Sequence, residues 1–122
     1  MRARYDDWVR RYVEVWNTND PDAIAALFTE DARYFLAPYD EPWTGTDAIV
    51  KGWLEHADEP GDTTFEYEVI AATEDLGIVK GHTLYKTSGR EYSNMWEIRL
   101  DETGRCREFV EWFMLIPKGS SG

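Results

Sequence analysis

The sequence predicts an α+β fold in which three amino-terminal helices cover one face of a curved, mostly antiparallel sheet. Two observations support this prediction. In the first half of the chain, apolar residues recur at steps of three and four, which is the period of an amphipathic helix. In the second half, four runs with strand-like alternation are separated by short turns, which make neighbouring strands antiparallel. Because a curved sheet closed by helices encloses a space, we expect a small-molecule pocket there.

The first helix is predicted from an apolar stripe that carries two tyrosines and two tryptophans: Tyr5, Trp8, Val9, Tyr12, Val13 and Trp16. Tyr12 and Trp16 are four residues apart, so their side chains lie on the same side of the helix. A tyrosine on such a face buries its ring but still needs a partner for its hydroxyl. Tyr12 is therefore either a core residue with a structural hydrogen bond or a donor in the pocket.

The second helix is predicted to begin after Asp20, whose side chain caps helices well. Pro21 takes the first helical position, where its missing N–H costs nothing. The short apolar face of this helix is Ile24, Leu27 and Phe28, and residues 29–31 are expected to end it.

A first strand is predicted over residues 32–37, with Tyr34 and Leu36 on the same side. The following loop, residues 38–43, is held extended by two prolines and places two carboxylates, one of them Asp40, between two aromatic residues. This loop is either a lid or rim of the pocket or a solvated turn.

The third helix is predicted to be capped by Thr46, and its inward residues are expected to be Ile49, Val50, Trp53 and Leu54. His56, near the end of this helix, is expected at the surface. Four strands are then predicted in series, over residues 63–71, 77–87, 91–100 and 105–116.

The composition limits the classes of function. The chain has 122 residues, enough for one core, and we assign residues 1–118 to one domain and residues 119–122 to a linker. Its net charge of −11 disfavours nucleic acid and anionic membranes as partners, because both repel such a surface. A single cysteine excludes an intrachain disulfide, and no run of about 18 apolar residues could span a membrane. We therefore expect a cytoplasmic, bacterial-type protein.

The last two strands form a predicted hairpin in which polar residues occur among aromatic ones. Asn94 and Glu111 occupy positions where an ordinary core would carry Val or Leu. We interpret this hairpin as one wall of the pocket.

The chain resembles the SnoaL-like branch of the nuclear transport factor 2-like superfamily over about residues 5–116. Six segments carry the resemblance: residues 12–17 (Tyr-Val-Glu-Val-Trp-Asn), 20–28, 29–34, 43–49, 92–96 (Tyr-Ser-Asn-Met-Trp) and 111–113 (Glu-Trp-Phe). The resemblance implies a cone-shaped α+β barrel and, as in many members, a homodimer formed through the sheet. The superfamily includes isomerases, dehydratases, epoxide hydrolases, cyclases and non-catalytic binding domains, so the resemblance leaves the reaction open.

The steroid ketoisomerases of this superfamily offer a comparison for individual residues. Their helical tyrosine lines up with Tyr12. Their general-base aspartate falls at Leu36, and the aspartate of their oxyanion hole falls near Trp96. This chain therefore lacks the base of that mechanism, and the Asp-Arg-Asp set of limonene-type epoxide hydrolases is not evident either.

The same comparison places Asn94 and Trp96 on the concave face of one strand and Glu111 on that of the next. Desolvation among aromatic residues should raise the pKa of Glu111, which suits a general acid or base. Asn94 would orient that carboxyl group or bind a substrate carbonyl, and Tyr12 would donate to a developing oxyanion. Two alternatives remain: Glu111 is paired with an arginine (Arg33, Arg99 or Arg107), or a one-residue slip turns it outward.

Further candidates complete the predicted site. Ring and apolar contacts to the ligand are expected from Trp8, Trp16, Tyr34, Leu36, Trp43, Trp53, Trp96, Phe109 and Phe113. His82 lies in a strand between lysines that suggest the outer face, so it is a weaker candidate, as is Asp40. No metal site is expected, because two histidines and one cysteine lie far apart without ligand spacing.

We therefore expect a cofactor-independent isomerase, dehydratase or cyclase that acts on a small hydrophobic carbonyl or cyclic substrate. The alternative is a non-catalytic ligand-binding or dimerisation domain. The Gly-Ser-Ser-Gly tail also leaves open a scaffold used for engineering.

Overall fold

The structure, a computed structural model, describes residues 1–117 of the chain. The interpretation of residues 119–122 as a linker, and of residue 118 as the end of the domain, lies outside the described residues. The elements follow in the order α1 (Arg2–Trp16), α2 (Pro21–Ala26), β1 (Phe28–Phe35), β2 (Trp43–Thr44), α3 (Thr46–Glu55), β3 (Thr63–Ala72), β4 (Gly77–Tyr85), β5 (Glu91–Leu100) and β6 (Cys106–Leu115).

The strands form one mixed sheet in the order β2-β1-β6-β5-β4-β3. Only the β1–β6 pairing is parallel among the described strands, and the others are antiparallel. The sheet curves under the helices. It does not close into a complete barrel, because β2 and β3 remain as its two edges. The predicted α+β fold is confirmed. No helix in residues 1–117 is long and apolar enough to cross a membrane.

Helix α1 packs its aromatic stripe against the sheet, as its periodicity predicted. Tyr5, Trp8 and Val9 are fully buried, and Tyr12 is nearly so. The Trp8 indole N–H donates to the carbonyl of Leu27 at 3.0 Å, which satisfies its polar atom inside the core. This anchoring fixes the face of α1 that also carries Tyr12 and Trp16.

Helix α2 is shorter than predicted, and β1 begins earlier. Asp20 caps α2 as expected, accepting from the amide of Asp22 at 3.1 Å. Phe28, however, starts β1 and does not extend the helix. The reason is tertiary: Phe28 pairs in register with Cys106 of β6, and its ring is 1% exposed. The predicted strand over residues 32–37 is therefore displaced, with Leu36 lying just beyond its end.

Helix α3 departs from its prediction at both ends. Its cap residue is Gly45, whose φ of 90° favours glycine, whereas the Thr46 hydroxyl donates to the carbonyl of Thr29 at 3.0 Å. Leu54, expected to face inward, is 42% exposed. Gly52 lies against Trp43: a Cβ there would come within 2.3 Å of the Trp43 ring. This contact packs the Trp43 ring against α3. Trp43 belongs to the short strand β2, which was not predicted.

The four strands from β3 to β6 agree with the predicted runs to within two residues at each end. Their alternation is also confirmed: Val79 and Thr83 are buried on one face of β4, whereas Lys80 lies exposed on the other. On β5, Asn94 and Trp96 face inward and Met95 faces outward. The concave face of β4 to β6 therefore carries the polar residues singled out in the sequence.

Candidate functional site

A cavity of about 250 Å³ lies between the helices and the concave face of the sheet. Helices α1 and α3, the loop after α3, strands β1, β2, β4, β5 and β6, and Leu36 just after β1 contribute to its wall. The wall consists of Tyr12, Trp16, Tyr34, Leu36, Trp43, Trp53, His56, Ala57, Asp58, Thr83, Tyr85, Tyr92, Asn94, Trp96, Glu111 and Phe113.

Glu111 places a carboxyl group in this wall. It lies directly opposite Trp96 in the β5–β6 register. Its Oε2 accepts from the Asn94 amide at 2.6 Å and from the Trp96 indole N–H at 2.9 Å. No hydrogen bond from the described residues reaches its Oε1, which leaves that oxygen available to a ligand.

Asn94 is held in place by a second hydrogen bond. The Thr83 hydroxyl donates to Oδ1 of Asn94 at 2.8 Å, which assigns Nδ2 as the donor to Glu111. Thr83 and Asn94 are both buried, at 2% and 9% exposure. The three residues therefore form a chain across β4, β5 and β6 that orients the carboxyl group. Asn94 thus contacts Glu111, as the first of its two predicted roles requires.

Burial raises the pKa of Glu111, and the hydrogen bonds from Trp96 and Asn94 oppose this shift by favouring the carboxylate. The predicted alternative of an arginine partner does not hold. Arg33 and Arg99 both pair with Glu108, which lies three residues before Glu111 on the opposite face of β6. No ion pair among residues 1–117 joins Glu111 to Arg107 or to another cationic side chain. Register also excludes the one-residue slip, since Glu111 lies opposite the inward-facing Trp96.

Two tyrosines form the second polar group of the cavity. The hydroxyls of Tyr12 and Tyr34 lie 2.7 Å apart and are hydrogen-bonded. Burial raises the pKa of both, and the nearby charge of Glu111 raises each further. Both are therefore protonated at neutral pH. One O–H is used within the pair, which leaves a second proton that can be donated to a ligand oxygen.

Aromatic rings make up most of the remaining wall. Tyr12 contacts Trp53 at 4.9 Å and Trp96 at 4.8 Å between ring centroids. Trp43 stacks on Tyr34 at 5.0 Å and on His56 at 5.6 Å. His56 was expected at the surface, and it is exposed, but it also borders the cavity.

Asp58, Tyr85 and Tyr92 line the cavity but were not among the site residues predicted from the sequence. The Asp58 carboxylate accepts from the indole of Trp16 at 2.9 Å and from the hydroxyl of Tyr85 at 3.5 Å. Tyr85 could have been found, since the period of two places it on the same face as Thr83. Asp58 gave no such signal, because it lies in an irregular loop.

Four predicted site residues lie outside the cavity wall. Trp8 and Phe109 have 0% exposure and pack against each other at 5.9 Å in the core, where a ligand in the cavity does not reach them. Asp40 is exposed in the loop after β1. The His82 ring contacts Glu91 at 2.9 Å, away from the wall, on the outer face that its lysine neighbours suggested.

Within residues 1–117, no group of three or more His, Cys, Asp or Glu side chains could hold a metal ion. Cys106 is buried, and burial raises the pKa of its thiol, which disfavours the reactive thiolate. The acid and base groups in the cavity wall include Glu111, Asp58, His56 and the Tyr12–Tyr34 pair.

Solved structures with the same fold include three informative cases. An NTF2-like protein of unknown function from Mesorhizobium loti is 21% identical and has a TM-score of 0.70, with 93% of each chain covered. SalBIII, an epoxide hydrolase/cyclase-like enzyme with a role in pyran ring formation in the polyether salinomycin, is 16% identical, with a TM-score of 0.73 and 89% of each chain covered. A ketosteroid isomerase-like protein from Erwinia carotovora is 20% identical, with a TM-score of 0.68, covering 95% of this chain and 97% of that one.

These identities show a shared fold and leave the reaction open. A comparison with curated proteins finds no match. The SnoaL-like domain family, in contrast, matches residues 9–109, which include both tyrosines and the whole of β5. The chain therefore belongs to the SnoaL-like domain family, with the fold of NTF2-like proteins.

Proposed function

We propose that this protein is a cofactor-independent enzyme that transfers protons within a small hydrophobic carbonyl or cyclic substrate, as an isomerase, dehydratase or cyclase. The observation that supports this proposal most directly is the state of Glu111. Its Oε2 is held by two N–H donors, while its Oε1 accepts none from the described residues and its pKa is raised by burial. A carboxyl group in this state is suited to accept a proton and return it.

The proposed reaction uses the two polar groups of the cavity together. Oε1 of Glu111 would remove a proton from the carbon next to a carbonyl group. The Tyr12–Tyr34 pair would donate a hydrogen bond to the carbonyl oxygen as negative charge develops on it. Glu111 would then return the proton to a carbon of the resulting enolate, so the reaction balances without a cofactor. Asn94 is a positioning residue in this scheme, and the rings of Trp16, Trp96 and Phe113 would select substrates by shape.

Proton exchange on a ketone tests this proposal. We would incubate the protein with 2-tetralone in D₂O and follow deuterium incorporation next to the carbonyl by NMR. Glu111→Gln should lower the enzyme-dependent exchange rate by about 100-fold or more, because a positioned general base contributes about that much. The matched control is Glu97→Gln, which removes an equivalent charge from the outer face of the same hairpin. If wild type and Glu111→Gln exchange at equal rates, Glu111 is not the base.

A second candidate function, a binding or dimerisation domain, is favoured by the outer face of β5 and β6. Met95, Trp112 and Met114 are 37%, 45% and 72% exposed on this face, where they form an apolar patch. We propose that this outer patch joins two copies of the chain in a homodimer, a role compatible with either function of the cavity.

We also propose that the protein acts in the bacterial cytoplasm, where the Cys106 thiol would stay reduced.

A further inference from the structure

We propose that the ligand of the cavity carries a quaternary or tertiary ammonium group, which sits against the aromatic wall near Asp58. This inference rests on the proposed function in that it takes the cavity as the ligand site and names the class of ligand. It does not require Glu111 to be catalytic. It would make the substrate a carbonyl or cyclic compound with a cationic end.

The charges in the wall support a cationic ligand. Two carboxyl groups, Asp58 and Glu111, line the cavity, whereas none of its described lining residues is lysine or arginine. Asp58 is half-buried, and no cationic side chain of residues 1–117 forms an ion pair with it. Its hydrogen-bond donors, Trp16 and Tyr85, are neutral. The charge of Asp58 is thus left for a cation from outside the chain.

The neutral part of the wall also suits an ammonium group. Nine of the sixteen lining residues are aromatic rings of Trp, Tyr or Phe: Tyr12, Trp16, Tyr34, Trp43, Trp53, Tyr85, Tyr92, Trp96 and Phe113. The faces of such rings carry partial negative charge and attract organic cations, tryptophan most strongly. An apolar ligand without charge would contact the rings but would leave the Asp58 carboxylate without a partner of opposite charge.

The position of Asp58 indicates where the cation would sit. Asp58, Tyr85 and Tyr92 also border an adjoining open groove, whose wall includes Arg90. Arg90 lies in the groove and not in the cavity wall, so it does not occupy the space beside the rings. Asp58 therefore stands at the opening of the cavity, where the net charge of −11 would also favour the arrival of a cation.

An isosteric pair of probes tests this inference without knowledge of the natural ligand. The cation (3-hydroxyphenyl)trimethylammonium and the neutral 3-tert-butylphenol have nearly the same shape and differ in charge. We expect the cation to bind the wild-type protein about tenfold more tightly in calorimetric titrations. In NMR spectra, the indole N–H signal of Trp16, which donates to Asp58, should move on binding. That of Trp112 on the outer face should not.

A pair of variants separates the role of Asp58 from that of overall charge. Asp58→Asn keeps an acceptor for the Trp16 indole and should weaken binding of the cation by roughly fivefold, with the neutral probe unaffected. Glu59→Gln is the matched control, because Glu59 is exposed in the same loop and lies outside the cavity wall. It should leave the preference for the cation at the wild-type value.

Each outcome bears on one hypothesis. If the neutral probe binds as tightly as the cation, or if neither binds, the inference is overturned, and this result does not depend on the folding of any variant. Equal losses from Asp58→Asn and Glu59→Gln would overturn the role of Asp58. The proposed proton transfer is judged separately, by deuterium exchange in Glu111→Gln, so the two can fail independently.

Discussion

The β5–β6 hairpin contains two tryptophan–glutamate pairs of the same chemistry on opposite faces. On the inner face, the Trp96 indole donates to Glu111 at 2.9 Å, and on the outer face the Trp112 indole donates to Glu97 at 2.6 Å. The inner tryptophan is 1% exposed and the outer one 45%. Among the residues that the structure describes, the inner carboxyl group lines the 250 Å³ cavity and the outer one does not. The difference between a candidate site and a surface contact therefore comes from the surroundings, since the residues are the same.

A sheet with one covered face usually carries apolar side chains on that face and polar side chains on the exposed one. Several residues around the two pairs reverse this arrangement. The inner face carries Asn94 and Glu111, whereas the outer face carries Met95 and Met114. Buried polar groups cost stability unless they are hydrogen-bonded, and exposed apolar patches often mark contact surfaces. This distribution supports both proposals made above, a small-molecule ligand on the inner face and a second copy of the chain on the outer face.

The largest expected effect comes from removing each tryptophan in turn. Trp96→Ala should lower the free energy of unfolding by about 3–5 kcal/mol, because it opens a void among the rings of Tyr12, Phe65 and Phe109. Trp112→Ala should cost about 1 kcal/mol or less, since half of its surface is already in water. Urea unfolding in dilute protein measures both. Equal losses would show that the two pairs are not distinguished by burial.

The next effect concerns the outer patch. Met114→Lys should weaken self-association by about tenfold or more, because a charge placed in an apolar contact must be desolvated there. Sedimentation measured over a range of protein concentrations detects this change. The matched control is Ile70→Lys, which adds the same charge at another exposed apolar residue, on edge strand β3. A wild-type protein that stays monomeric, or two variants with equal effects, would contradict a dimer through the outer patch.

The sequence predicted the sheet better than the helix boundaries because the two depend on different interactions. The alternation on β4 to β6 groups the residues that share a face, and the resemblance to the steroid ketoisomerases then identifies the face of Asn94 and Glu111 as the concave one. The start of β1 at Phe28 could not be predicted in this way, because it depends on pairing with Cys106, which is 78 residues away in the chain. Local apolar spacing there fits a helix equally well.

The candidate site divides in the same way. Side chains on regular elements, such as Tyr12 and Trp53, could be assigned to the cavity from their periodicity. Asp58 could not be, because its position depends on hydrogen bonds from Trp16 and Tyr85 that bring a loop against two other elements. Trp8 and Phe109 were predicted in the site but lie in the core. Helical and strand periodicity separate inward from outward side chains, but they do not separate the core from the cavity wall.

The smallest effect, and the sharpest comparison of the two pairs, is the pH dependence of stability in Glu111→Gln. Burial raises the pKa of folded Glu111 above the ordinary value of 4.5, so the folded state retains its proton at pH values where the unfolded chain has lost it. The stability of the wild type should therefore fall as pH rises from 4.5 through the raised pKa. Glutamine cannot ionise, yet its oxygen can still accept from Asn94 and Trp96. The variant should thus gain stability relative to wild type as pH rises, with no such gain below 4.5.

Urea unfolding between about pH 4 and 9 measures this difference, with Glu97→Gln as the control for net charge. A Glu111→Gln variant that is less stable at every pH would instead mean that the carboxylate is a structural partner of Asn94 and Trp96.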